Sequence, residues 1–157
     1  MSLSDLANLG EFFSSLAVFV SLIYLAMQIA QNTKHTRALI QQGRIAGVVD
    51  QYLSMADADL TAAYLAANGH PVTADDIRKR QFFLQCVALQ VRQDDTFTQH
   101  RQGLLDGDQF ARSTRHITER FKADPALRDF FHDAVVANRP PTPYRTYVQE
   151  MLAKTEG

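Results

Sequence analysis

The side chains best suited to metal or nucleophilic chemistry are five histidines, His35, His70, His100, His116 and His132, and one cysteine, Cys86. His116-Ile117-Thr118-Glu119 puts an imidazole and a carboxylate one helical turn apart, a chelating geometry for a metal ion. The order is the reverse of the Glu-x-x-His of di-iron bundles, and no second copy occurs. Asp94 and Asp95 precede His100 closely enough on a helix to join it. Solvated helix surfaces carry such pairs routinely, so no metal ligand, catalytic residue or cofactor is assigned. Gly103-Leu104-Leu105-Asp106-Gly107 lacks the Lys-Ser/Thr of a phosphate-binding loop and reads as a turn. Arg78-Lys79-Arg80 reads as a solvated charged face, and Arg139 and Arg145 beside Tyr144 and Tyr147 as a possible contact for an anion or lipid headgroup. A lone cysteine excludes an internal disulfide, and its apolar helical setting makes Cys86 a small core residue rather than a reactive thiol.

The elements that would carry these residues are all helices; no strand, repeat or low-complexity segment is evident, and the class is all-α. Ser2 or Ser4 can cap the first helix, with Asp5 in its first turn. That helix is expected from about residue 5 to about 56, with a bend near Gly43 and Gly47. A short helix with Leu60, Ala63, Tyr64 and Ala67 on one face ends at Asn68-Gly69-His70-Pro71. Thr73, Asp75 and Asp76 open the next, whose interior from Ile77 to Val91 has a broad apolar stripe of Phe83, Leu84, Val87 and Val91. Phe82, Cys86 and Leu89 widen that stripe and mark this as the central helix. Asp108 is expected to start a helix bearing Phe110, Thr114, Ile117 and Phe121. Asp124-Pro125 opens another, with Leu127, Phe130, Phe131, Ala134 and Val135 inward. After the stiff Arg139-Pro140-Pro141 linker, Thr142-Pro143 starts a last helix bearing Tyr144, Tyr147, Val148, Met151 and Leu152.

Residues 12–33 stand apart. They contain no Asp, Glu, Lys or Arg and no Pro or Gly. As a helix they extend about 33 Å, enough for a hydrocarbon core of about 30 Å. The stretch is read as a single membrane span, its length favouring this over a buried core helix. A cleavable signal peptide is disfavoured, because Asp5 and Glu11 precede the run where a basic segment belongs. The organisation expected is residues 1–33 as tail and transmembrane helix, 34–56 as a juxtamembrane extension and 57–157 as a helical bundle domain. Residues 31–157 hold all 16 basic residues and all but two of the 17 acids, so that part is nearly neutral. It therefore lacks the concentrated basic face that nucleic acid requires. Lys34, Arg37 and Arg44 follow the span and no basic residue precedes it. The positive-inside tendency then puts the C-terminal part in the cytoplasm.

Within the span, Ser14, Ala17, Ser21, Tyr24 and Gln28 alternate at intervals of three and four and so line one face. Lipid gains nothing from hydroxyls and amides, whereas small and polar residues let helices approach and hydrogen-bond. These five form a candidate assembly face. Its register continues through Gln31, His35, Ala38, Gln42, Ile45, Val49 and Tyr52, whose apolar end suits a short coiled coil. The competing account is that serine in a span bonds back to its own helix.

Asn8-Leu9-Gly10-Glu11, then Val20-Ser21-Leu22-Ile23-Tyr24-Leu25-Ala26-Met27-Gln28-Ile29 and Gln31-Asn32-Thr33, resembles the start of a widespread, uncharacterised family of bacterial, chiefly proteobacterial, membrane proteins. Gly103-Leu104-Leu105-Asp106 and Asp124-Pro125-Ala126-Leu127-Arg128-Asp129-Phe130-Phe131 are similar to later blocks of that family, where the double aromatic is often tryptophan. The resemblance implies an anchored helical domain and no particular activity. Three functions follow as expectations. The first is a non-enzymatic, single-span inner-membrane protein, a structural or accessory subunit embedded in the lipid bilayer as a homo-oligomer or beside another membrane protein. The second is a sensor holding a small apolar molecule in its Phe-rich bundle. The third is a metal-dependent enzyme around His116, Glu119 and the Asp94/Asp95/His100 group.

Overall fold

The computed structural model describes residues 3–138 and 140–155, with the side chains of 3, 5–7 and 9 left aside. The described residues are 86% helical, with no strand among them. They form α1 (Leu3–Met55), α2 (Ala58–Ala67), α3 (Ala74–Arg101), α4 (Gly107–Ala123), α5 (Pro125–Phe131) and α6 (Pro143–Ala153). The Ser2 cap and the placement of the Asp5 side chain lie outside the described residues.

The chain divides into two compact units, 1–40 and 41–157. The segment 34–56, read from sequence as a separate extension, is thus shared between them. The first unit is helix alone. Its large apolar side chains from Phe12 to Ile29 are all exposed, Phe12 at 64% and Ile29 at 58%. An eighteen-residue window of this helix reaches a mean hydropathy of 2.0 with none of it buried. This helix is long and apolar enough to cross a membrane.

The second unit starts with the end of α1, which runs without interruption through Gly43 and Gly47. Gln41 donates to Asp95 (3.3 Å), and Gln81 donates to the Ala56 carbonyl (2.7 Å). These two bonds, one at each end, lay residues 41–56 antiparallel along α3. Gln41, Ile45, Val49, Tyr52, Met55 and Ala56 are the half-buried positions of this stretch. In the register that continues the span face, Ile45 and Val49 line a groove with Arg92, Asp95 and Gln99 of α3, and Ile45, Val49 and Tyr52 remain half-buried.

Local chemistry accounts for most boundaries. Asp57 caps α2 by accepting from the Asp59 and Leu60 amides. Gly69 then adopts φ +69°, a left-handed turn open to glycine at no steric cost. Thr73 and Asp76 form a reciprocal capping box at α3. Asp124 accepts from the Leu127 amide (3.1 Å) with Pro125 in the first turn, and Thr142 accepts from the Arg145 amide (3.1 Å) ahead of α6. At α4 the expectation moves by two residues. Asp106, not Asp108, accepts from the Gln109 amide, because Gly103 at φ +66° closes α3 early enough for Asp106 to reach it. The segment His132–Ala137 continues α5 as a wider π-helical turn, a feature with no marker in the sequence.

The core joins α3 to α6. Ile117, Phe121, Phe131, Val135 and Val148 have no exposed surface, and Leu127 and Met151 are 1% exposed. Phe121 and Phe131 rings meet at 4.8 Å, and Thr114 and Tyr147 share a hydroxyl hydrogen bond of 2.9 Å. Burial pushes the Tyr147 hydroxyl above its usual range. The stripes of α4, α5 and α6 point inward as expected; that of α2 does not, and that of α3 does so at Leu84 and Cys86 but not at Phe82 and Phe83. Helix α2 buries Thr61 and Leu65 while Leu60 and Tyr64 are exposed. The reason is local: Thr61 turns in to donate to the Met55 carbonyl (2.9 Å), satisfying the end of α1. Helix α3 buries Leu84, Cys86, Ala88, Gln90 and Gln93. Phe82 and Phe83 stay 38% and 43% exposed, Phe82 beside a groove it shares with Val49 and Leu53 of α1 and Phe83 with its ring 5.7 Å from that of Phe130.

Candidate functional site: the apolar helix and its polar face

Residues 12–30 form an uninterrupted helix: no Pro or Gly breaks them, and the strong helix formers Leu, Ala and Met supply seven of the nineteen residues. On that helix Ser14, Ala17, Ser21, Tyr24 and Gln28 are all exposed. Ser21 donates to the Ala17 carbonyl (2.7 Å), so two members of the face are joined through the helix backbone. Gln28 donates to the Tyr24 hydroxyl (2.8 Å), so two more are tied side chain to side chain. Ser15 and Thr33 bond back to Glu11 and Ile29 in the same manner as Ser21. The backbonding account of the span serines holds for Ser21. What the face presents outward is a small-residue groove at Ala17 and Ser21. Above it, the Tyr24–Gln28 pair retains donor and acceptor capacity for a neighbour.

The groups singled out for metal chemistry do not converge. No three His, Cys, Asp or Glu side chains among the described residues come together as a metal-binding group. His100 stacks flat on Phe110, ring centroids 4.0 Å apart, with Nδ1 3.3 Å from the Leu105 carbonyl oxygen. Asp95 accepts from Gln41 and Gln99. Glu119 accepts from Lys122 (3.1 Å), one turn away from exposed His116. Each group is held by a different neighbour.

Of the basic run, Lys79 pairs with Asp75 (2.6 Å), which holds the Asp75 carboxyl below its usual range. Arg80 departs from the solvated-face reading. Its guanidinium sits over Tyr64 (4.6 Å) and Phe83 (5.1 Å), and its Nε is buried without a hydrogen-bond partner. The Arg80/Phe83 spacing of three was the available signal, since it places a cation beside a ring on one helix face. Arg139 lies outside the described residues, and Tyr144 and Tyr147 are buried in the core. The aromatic rings at that end of the bundle fill the space themselves: Phe97 stacks on Tyr147 at 4.9 Å and tilts against Tyr144 at 5.7 Å.

Cys86 is 2% exposed, and burial, with the Asp124 carboxylate adding to it, pushes its thiol up to about 11. The folded state therefore disfavours the thiolate. Stability tied to this group is intact below pH 9 and falls as pH rises toward 11. Near neutral pH, a maleimide is expected to label Cys86 about 100-fold more slowly than it labels the denatured chain. Equal rates would show that the thiol is not buried as described.

No family model, curated protein or solved structure matches the chain.

Proposed function

We propose that this chain is a non-enzymatic, single-span membrane protein that acts as a structural or accessory subunit. It assembles with further copies or with another membrane protein through Ser14, Ala17, Ser21, Tyr24 and Gln28. One observation carries the reading: an uncharged helical stretch long enough to cross a membrane has every large apolar side chain from Phe12 to Ile29 exposed and a polar seam along it. Water tolerates no such contiguous apolar surface, lipid does, and within lipid the seam is the face that gains from a neighbour. Lys34, Arg37 and Arg44 favour a cytoplasmic bundle. The likeness of residues 8–33 to bacterial membrane proteins favours the bacterial inner membrane.

Native mass spectrometry of the full-length protein in gentle detergent tests the assembly. Wild type is expected as a defined oligomer or in complex with another chain, and Ser21→Leu with Gln28→Leu as a monomer. Interhelical polar contacts are worth about 0.6 to 2 kcal/mol each, so losing two shifts association by about tenfold or more. An unchanged mass in the double variant sinks the seam.

The sensor reading keeps support from a different place than the Phe-rich core. An open groove beside α3 offers apolar walls and two arginines.

A further inference from the structure

Along one side of α3 runs a groove of about 250 Å³, walled by the end of α1 and by α4 and α5. Leu53 and Phe82 form its open end, 48% and 38% exposed, and Leu89 and Leu127 line its interior. The charged side chains lining it are Arg92, one end of the α3 wall, and Arg120 on the α4 wall. Neither guanidinium makes a salt bridge or side-chain hydrogen bond among the described residues. Asp124 accepts from the Leu127 amide and Asp95 from Gln41 and Gln99, while exposed Asp50 lines a neighbouring groove with Arg92. An apolar trough with two uncommitted guanidiniums matches one ligand class, an anion with a hydrocarbon tail. Guanidinium is the side chain whose planar fork fits a carboxylate.

We propose that this groove binds a fatty carboxylate, with the head on Arg92 and Arg120 and the chain over Leu89 and Leu127 toward Phe82 and Leu53. A groove of about 250 Å³ suits a medium-length single chain. A bare aliphatic strip would take any greasy partner; the two arginines that line the groove select the charged head. The site does not depend on assembly through the span, because every residue of it belongs to the unit 41–157.

The chain contains no tryptophan, so Phe82→Trp supplies a sole indole at the mouth of the groove. Full-length protein carrying this change, in nanodiscs, is titrated with decanoate and separately with decanol. A saturable fluorescence change with decanoate is expected, weakened about tenfold in Arg92→Gln and further in Arg92→Gln with Arg120→Gln, and absent with decanol. A one-to-one decanoate adduct of the wild-type chain in native mass spectrometry is expected too, which keeps the test valid if the tryptophan variant folds poorly. Equal responses to decanoate and decanol would overturn the proposal, since the arginines then select nothing. A linear, unsaturable response would mean partition into lipid alone and overturn it as well. A signal that follows protein concentration and ignores ligand would assign the groove to a second copy instead.

Discussion

Phe121→Ala is expected to lower the stability of the unit 41–157 by about 3 to 5 kcal/mol, the range for removing a fully buried aromatic ring. Phe121 has no exposed surface and packs its ring against Phe131 at 4.8 Å, at the junction of α4 and α5. Surrounding helices can collapse into the space only in part, so the loss combines transfer free energy with a residual cavity. Domains of this size have about 5 to 15 kcal/mol in total, so the variant approaches the unfolding threshold at physiological temperature. Chemical denaturation of full-length protein in mild detergent, followed by far-UV circular dichroism, measures it. Leu60→Ala is the control, since Leu60 is 56% exposed, and surface changes of this kind stay within about 0.5 kcal/mol. Equal midpoints for the two variants would mean that the core is not centred on α4 and α5.

Leu22→Arg is the second large effect. Leu22 stands near the middle of residues 12–33, and its side chain is 58% exposed. At the centre of a spanning helix, exchanging leucine for arginine costs about 3 kcal/mol on insertion scales, about a hundredfold in partition. Alkaline carbonate extraction is expected to leave wild type in the membrane pellet and to release a large part of Leu22→Arg. Leu22→Phe should behave as wild type. If wild type itself is extracted, the helix is not a span; if Leu22→Arg is retained fully, Leu22 does not lie at the bilayer centre.

Both experiments probe features with different origins. The membrane-length helix is legible in residues 12–33 because a run without charge, Pro or Gly is a property of the chain, whatever it packs against. The helix starts are legible for a similar reason. Thr73 with Asp76, Asp124 with Pro125, and Thr142 with Pro143 act over one turn, and each of these caps does what its spacing requires. Amphipathic α4 and α6 have a single apolar side, so Ile117, Phe121, Val148 and Met151 could only face inward.

Helix α3 shows where such reading stops. Apolar residues surround it, so periodicity groups Phe83 with Val87 and Leu84 with Cys86 without ranking the two sides. The ranking came from where α2, α4 and α5 docked, which left Phe82 and Phe83 at the surface and took Gln90 and Gln93 inside. The fold also places Ile45 and Val49 beside Arg92 of α3 in one groove. It also separated His100 from any metal partner by stacking it on Phe110, and brought Arg92 and Arg120 to one groove from helices whose sequences do not mention each other. Capping, helix propensity and hydropathy act between residues a turn apart and are written in the chain. The choice of buried face and the meeting of distant side chains depend on how whole helices share a limited interior, and only the folded arrangement settles that.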